Sequence, residues 1–238
     1  MKKYFERIYN KGIDSFYNEL KESLKNNKKS FVVTANPETF MYGEKDKVIN
    51  NIILDKKTIV APDGIGVVKA SNMLGYNVKE RIPGIDIATK LLEYGNELNK
   101  TIYFFGAKKE VVKKLVEKVK KDYTSLKIIG YADGYVTNKD QIMNNISKLS
   151  PDIILVALGI PYQEKLIYNH LDKFKKGIFV GVGGSFDVLS GCKKRAPKIF
   201  IKTNTEWLYR IIKEPKRIKR FYNSNVKFLF KIKKLDKW

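Results

Sequence analysis

Six short runs rich in Val, Ile, Phe and Tyr recur through the first 190 residues, and helical patterns fall between them. The runs are 30–36, 57–63, 101–107, 125–134, 152–159 and 177–184. The intervening helical stretches include 39–54, 84–98, 108–122, 138–149 and 162–173. Strands alternating with helices of this length predict βαβ units and a mostly parallel sheet, an α/β fold. Several runs are apolar throughout, as expected when helices cover both faces. The alternation stops near 195–203. The chain is therefore divided into a core over 1–194 and an appendage over 195–238.

Charge distinguishes the two parts. The net charge is +22, from 47 Lys and Arg against 25 Asp and Glu. The last 46 residues hold sixteen of those cations and only three acids, Glu206, Glu214 and Asp236. Such a segment is expected to face something anionic: nucleic acid, an acidic membrane surface or substrate phosphates. Lys227, Lys231 and Lys234 share one helical face, with Phe228, Leu229, Ile232 and Leu235 on others. Trp207, Tyr209, Phe221, Tyr222 and Trp238 suit a headgroup interface. Removing the appendage after about Lys194 is expected to leave a folded core. One Cys and one His make a structural zinc site untenable and exclude an intrachain disulfide. The basic N-terminus is interrupted by Glu6, Arg7 and Asn10 where a signal peptide would be apolar. A cytoplasmic chain, peripheral on the inner face of the membrane, is expected.

In open α/β sheets, ligands bind beyond the carboxyl ends of the strands, and the polar residues and glycines concentrate there. After the first run, Thr34-Ala35-Asn36-Pro37 offers Asn36 as a helix N-cap and Pro37 as the first helical residue. Backbone amides at such a helix start attract phosphate. The second run ends in Asp63-Gly64-Ile65-Gly66, a carboxylate on a tight turn. The last run ends in Gly181-Val182-Gly183-Gly184-Ser185-Phe186-Asp187. Its glycines would let amides approach a pyrophosphate, and Asp187 could accept from ribose hydroxyls. No P-loop, GxSxG elbow or complete GxGxxG fingerprint occurs, which disfavours a P-loop nucleotidase, a serine hydrolase and a nicotinamide dehydrogenase. His170 reads as a helix-surface or packing residue.

Taken together these stretches resemble the WecG/TagA/CpsF family of bacterial surface-polymer glycosyltransferases. The matching pieces are TANPETFMYG (34–43), APDGIGVVKA (61–70), RIPGIDI (81–87), FFGAKKEV (104–111), GYADGY (130–135), ALGIPYQEKLI (157–167), GVGGSFDVLSGCKKRAP (181–197) and EWLYRIIKEPKRIKRF (206–221). The resemblance implies a Rossmann-like core of the GT-E type with a helical, basic C-terminal appendage that meets the membrane and closes over the site. It implies inverting transfer of N-acetylmannosamine from UDP to undecaprenyl-pyrophosphate-linked N-acetylglucosamine, for teichoic acid or a related polymer. Another UDP-sugar, for capsule or exopolysaccharide, is the alternative.

Carried over by position, Asp63 matches the general base, and Thr34 and Gln163 match polar residues near donor sugar and acceptor. Arg210, Arg217 and Arg220 match arginines that engage phosphates. With Asn36, Arg81, Gly159, Gly183, Gly184, Ser185 and Asp187 they form the candidate substrate-binding set. Pro215 interrupts the helix that would align the three tail arginines, so they are expected to converge from two short helices. No cofactor and no metal are expected, because no Asp-x-Asp motif occurs. The expected partners are the UDP-sugar, the lipid acceptor and an anionic membrane. Nucleic acid is the competing partner from another class, and self-association is left open.

Overall fold

Parallel pairing organises all six strands. The structure, a computed structural model, describes residues 1–235. Trp238 and the two residues before it lie outside the described residues. The strands are β1 (Lys29–Ala35), β2 (Thr58–Pro62), β3 (Thr101–Gly106), β4 (Lys127–Ala132), β5 (Ile153–Ala157) and β6 (Gly177–Gly181), in the order β2-β1-β6-β5-β3-β4. Each lies within one of the six apolar runs, except that β1 starts one residue before its run. The fold is therefore α/β and Rossmann-like, with C-terminal helices.

Alternation along each strand feeds two cores. Phe31, Val33 and Ala35 of β1, with Tyr103 and Phe105 of β3, point to a face covered by helices Pro37–Gly43, Lys47–Leu54, Lys139–Leu149 and Tyr162–His170. Val32, Ile102 and Phe104 point the other way, against Ile13–Lys25, Gly84–Glu97 and Lys109–Asp122. Stretch 39–54 forms two helices rather than one, because Asp46 caps the second by accepting from Val48 N and Ile49 N.

The appendage divides in its packing. Between Lys198 and Val226 the helices are short and largely exposed, with Ile199, Ile212, Ile218 and Tyr222 open to solvent. Helix Lys227–Leu235 turns back onto the core: Phe228 is 0% and Ile232 1% exposed, and Phe228 packs against Phe5 and Phe40 at 6.3 and 6.2 Å between ring centroids. Lys231 pairs with Glu44. These two apolar residues belong to the core rather than to an interfacial face, so the last helix of the appendage contributes side chains to the core. Leu229 and Phe230 remain exposed.

Phe228→Ala is expected to lower unfolding free energy by about 3–5 kcal/mol, read by urea denaturation. Phe230→Ala, at a 63% exposed position, is expected to change it by less than about 0.5 kcal/mol. Equal small effects would place Phe228 outside the core.

Candidate active site

The carboxyl ends of β1, β2, β5 and β6 meet along one edge, and three hydrogen bonds fix their turns. Asp63 N donates to Ala35 O at 2.9 Å, tying the end of β2 to the end of β1. Ile82 N donates to Pro62 O at 2.7 Å, bringing the Arg81 loop to the same place. Thr34 Oγ1 donates to Gly181 O at 3.0 Å, joining β1 to β6. Gly84 allows the next helix to start hard against Thr34: a Cβ there would lie 3.1 Å from Thr34 Cγ2.

Gln163 closes the edge from the β5 side. Its Oε1 accepts from Gly159 N and Gly183 N, each at 3.1 Å, so one oxygen holds the turns after both β5 and β6. Its Nε2 donates to Glu164 Oε1 at 2.8 Å. The chain can pass this side chain only because residue 181 is glycine, where a Cβ would sit 2.6 Å from Gln163 Nε2. Thr34 and Gln163 are both buried, and their polar atoms are engaged in holding the strand ends together. A side chain at Gly159, Gly183 or Gly184 would meet no protein atom within 4 Å. The backbone there borders open space.

Asn36 is the N-cap the sequence predicts, in a capping box: its side chain accepts from Glu38 N and Thr39 N, and Thr39 Oγ1 accepts from Asn36 N. Two amides at that helix start are thus taken by the protein itself. Ser185 Oγ donates to Val182 O at 2.7 Å. Asp187 lies 3.9 Å from Lys193. His170 is buried, with Nδ1 3.0 Å from Leu166 O, which accords with a packing role.

Asp63 is the electrostatic centre of this edge. Loss of hydration pushes its carboxyl up to about 6, against the opposing pull of Arg81 and Arg210, while Glu206 adds to the rise and the Gly84 amide lowers it. Arg81 Nη2 donates to Glu206 Oε2 at 2.5 Å. The tail arginines do not gather at one point. Arg210, exposed on helix Glu206–Lys213, acts on Asp63 through its charge, Arg220 makes a bidentate pair with Glu38 at 2.7–3.0 Å, and Arg217 pairs with Glu214 in its own segment at 2.7 Å. Pro215 separates helix Glu206–Lys213 from Arg217–Phe221, as the sequence indicates.

Three acids of the site escape sequence reading: Glu38, Glu164 and Glu206. Glu164 is 1% exposed, and desolvation pushes it up to about 7 against the hydrogen bond from Gln163, with Glu38 adding to the rise. The signals were adjacency to Gln163 and, for Glu206, the first position of the EWLYR piece. Among the described residues no three His, Cys, Asp or Glu side chains come together as a metal cage.

A carboxylate flanked by arginines at the strand ends of a Rossmann-like sheet, beside glycine turns open to a ligand, suits group transfer from a phosphorylated donor. Comparison with known proteins supplies the family. The model of the Glycosyl transferase WecG/TagA/CpsF family matches residues 6–237. The chain belongs to that family. It is 41% identical over 212 residues to an N-acetylglucosaminyldiphosphoundecaprenol N-acetyl-beta-D-mannosaminyltransferase of Bacillus subtilis (strain 168), covering 89% of this chain and 82% of that protein. Proteins of the same name from Bacillus spizizenii and Staphylococcus aureus (strain MW2) are 39% and 37% identical, over 87% and 86% of this chain and 81% and 80% of their own lengths. The chain is a glycosyltransferase of the hexosyl-transferring kind.

Because the Asp63 carboxyl is raised above its ordinary value, the folded protein binds that proton more tightly than the unfolded chain does. The charged form therefore weighs against folding above pH 6, and the penalty fades as pH falls toward 4. Asp63→Asn is expected to raise the melting temperature at pH 8 and to lose most of that advantage at pH 4.5, measured by differential scanning fluorimetry. An advantage independent of pH would show that Asp63 is not held in a desolvated setting.

Proposed function

We propose that this glycosyltransferase moves N-acetylmannosamine from UDP to N-acetylglucosaminyl-diphosphoundecaprenol with inversion at the anomeric carbon, and that Asp63 is its general base. The observation that carries this reading is the setting of Asp63: a carboxyl pushed up to about 6, faced by Arg81 and Arg210, in a chain 37–41% identical to N-acetylmannosaminyltransferases acting on that lipid. At pH 7 and above the carboxyl is ionised, yet it is more basic than an exposed aspartate. It can take the proton of the acceptor hydroxyl as that oxygen attacks the anomeric carbon. The bond from sugar to UDP breaks on the opposite face, and negative charge gathers on the departing diphosphate.

Arginines are the groups on hand to offset that charge, and their forked donors fit phosphate oxygens in pairs. Arg210 already acts on Asp63 through its charge, and Arg220, on its bidentate seat at Glu38, lies on the adjoining helix. The amides beside Gly159, Gly183 and Gly184 border the open space in which the nucleotide would lie. The reaction so written needs no divalent cation.

The lipid half of the acceptor sits in a membrane, and the exposed part of the appendage suits its surface. Ile212, Ile218, Tyr222 and Phe230 are 56–63% exposed among Lys and Arg, and Trp207 stacks on Phe221 with ring centroids 4.5 Å apart. Each cation near anionic lipid contributes about 1 kcal/mol. No helix among the described residues is long and apolar enough to cross a membrane.

The test is UDP release with a lipid-diphosphate-GlcNAc acceptor. UDP-N-acetylmannosamine is expected to be turned over and other UDP-sugars much less, with activity surviving EDTA. Asp63→Asn is expected to slow turnover by about 10²–10⁴-fold with UDP affinity within a few fold of the native value. Near-native turnover in that variant would sink the base assignment, and preference for another UDP-sugar would redirect the donor to that sugar.

A further inference from the structure

Glu206 is the buried residue of an otherwise largely exposed helix, Glu206–Lys213. It is seated between Arg81 of the core and Arg195 at the start of the appendage. Its Oε2 accepts from Arg81 Nη2, and its Oε1 lies 3.9 Å from Arg195 Nε. Among the described residues neither Glu206 Oε1 nor Arg195 Nε has a hydrogen-bond partner, and Arg195 spends its Nη1 on Asp86 at 2.7 Å. A carboxylate withdrawn from water to this degree is retained only where cations compensate it. One turn further along the same helix, at the i+4 position, stands Arg210.

The charged groups facing Asp63 come from three directions. Arg81 comes from the loop before helix Gly84–Glu97, the Gly84 amide from that helix itself, and Arg210 and Glu206 from the appendage. Two of the four belong to one short helix, and a third, Arg81, is bonded to it. We propose that Glu206 is a positioning residue for the transfer reaction: by occupying Arg81 and seating the helix that carries Arg210, it fixes the charges that face Asp63, so that docking of the C-terminal segment and preparation of the carboxylate are one event. The inference rests on the assignment of Asp63 as general base, and it adds a residue that touches neither substrate nor reacting atoms.

The sign of the effect is fixed by the arrangement. Glu206 repels negative charge on Asp63 and engages a guanidinium that would otherwise favour it. Glu206→Gln keeps an acceptor for Arg81, and with it the seat of the helix, but removes the charge. Asp63 should then release its proton at lower pH. Arg210→Gln, at an exposed position, should shift Asp63 the opposite way.

The full-length protein labelled with carbon-13 at aspartate carboxyls allows Asp63 to be titrated directly, its signal assigned by loss in Asp63→Asn. Glu206→Gln is expected to lower the Asp63 midpoint by about one pH unit and to move the acid limb of kcat/KM with it. Arg210→Gln is expected to raise the midpoint in the native background and to leave it unmoved when combined with Glu206→Ala, in which the helix has lost its seat. An Asp63 midpoint unchanged or raised in Glu206→Gln overturns the proposal. So does an unmoved midpoint in Arg210→Gln, a variant that disturbs no buried group, or an equal shift in both backgrounds. The titration does not depend on turnover. Should Asp63→Asn remain active while these midpoints move as stated, the base assignment fails and the positioning result stands.

Discussion

One side-chain oxygen, Gln163 Oε1, accepts from the backbone amides of Gly159 and Gly183 beyond β5 and β6. Parallel strands leave such amides unpaired where the sheet stops, and buried donors left alone cost about 1–3 kcal/mol each. By engaging both, Gln163 makes two separate turns into one rigid edge. Thr34 extends the same edge to β1 through Gly181 O, and the Asp63 amide extends it to β2 through Ala35 O. The open space beside the glycines exists because the edge is held from behind, by groups that do not project into it. In this protein the buried polar residues of the site are the frame, and the exposed backbone is the surface offered to a ligand.

The appendage is joined to that frame through acids rather than through its abundant cations alone. Glu206 meets Arg81, while Arg220 and Lys231 reach Glu38 and Glu44 on and just after the helix that follows β1. The two kinds of contact differ in physical weight. Arg220 and Lys231 are substantially exposed, so water and salt screen their pairs and each contributes little to stability. Glu206 is buried, and a pair of that kind is valuable for register more than for strength: misplacing it leaves an uncompensated charge. A segment pinned at one buried carboxylate and one apolar cluster, Phe228 with Ile232, can hold its position while the helices between remain exposed.

The six strands and most of the helices were legible because their signal is periodic and local. Each apolar run lies where a strand forms, and Asn36 caps its helix as its type predicts. The helix Ile13–Lys25 was not singled out, although Phe16, Tyr17, Leu20 and Leu24 mark its buried face. In the tail, the pattern was read correctly as amphipathic and its partner was not. A stripe of Phe and Ile among lysines looks the same whether it meets lipid or protein, and only the placement of Phe5 and Phe40 decides it for Phe228. Glu164 and Glu206 were silent for a related reason. An acid's importance lies in what buries it, and burial by residues over a hundred positions away leaves no trace in local spacing.

Two carboxyls at this edge are raised by desolvation, Asp63 to about 6 and Glu164 to about 7, and their surroundings separate their roles. Asp63 is partly exposed and faces two arginines, so its ionised form is supported where an acceptor hydroxyl could reach it. Glu164 is enclosed, the like charge of Glu38 acts on it, and its Oε2 has no hydrogen-bond partner among the described residues. What Glu164 does for the site passes through its other oxygen, which accepts from Gln163 Nε2. That contact decides which end of the Gln163 amide points back, and therefore that Oε1 is the atom turned toward Gly159 N and Gly183 N. A carboxyl oxygen accepts that bond in either protonation state, so the frame holds across the pH range in which Asp63 gains and loses its charge. The titrating group and the group that orients the frame are thus kept apart, one on each side of β1.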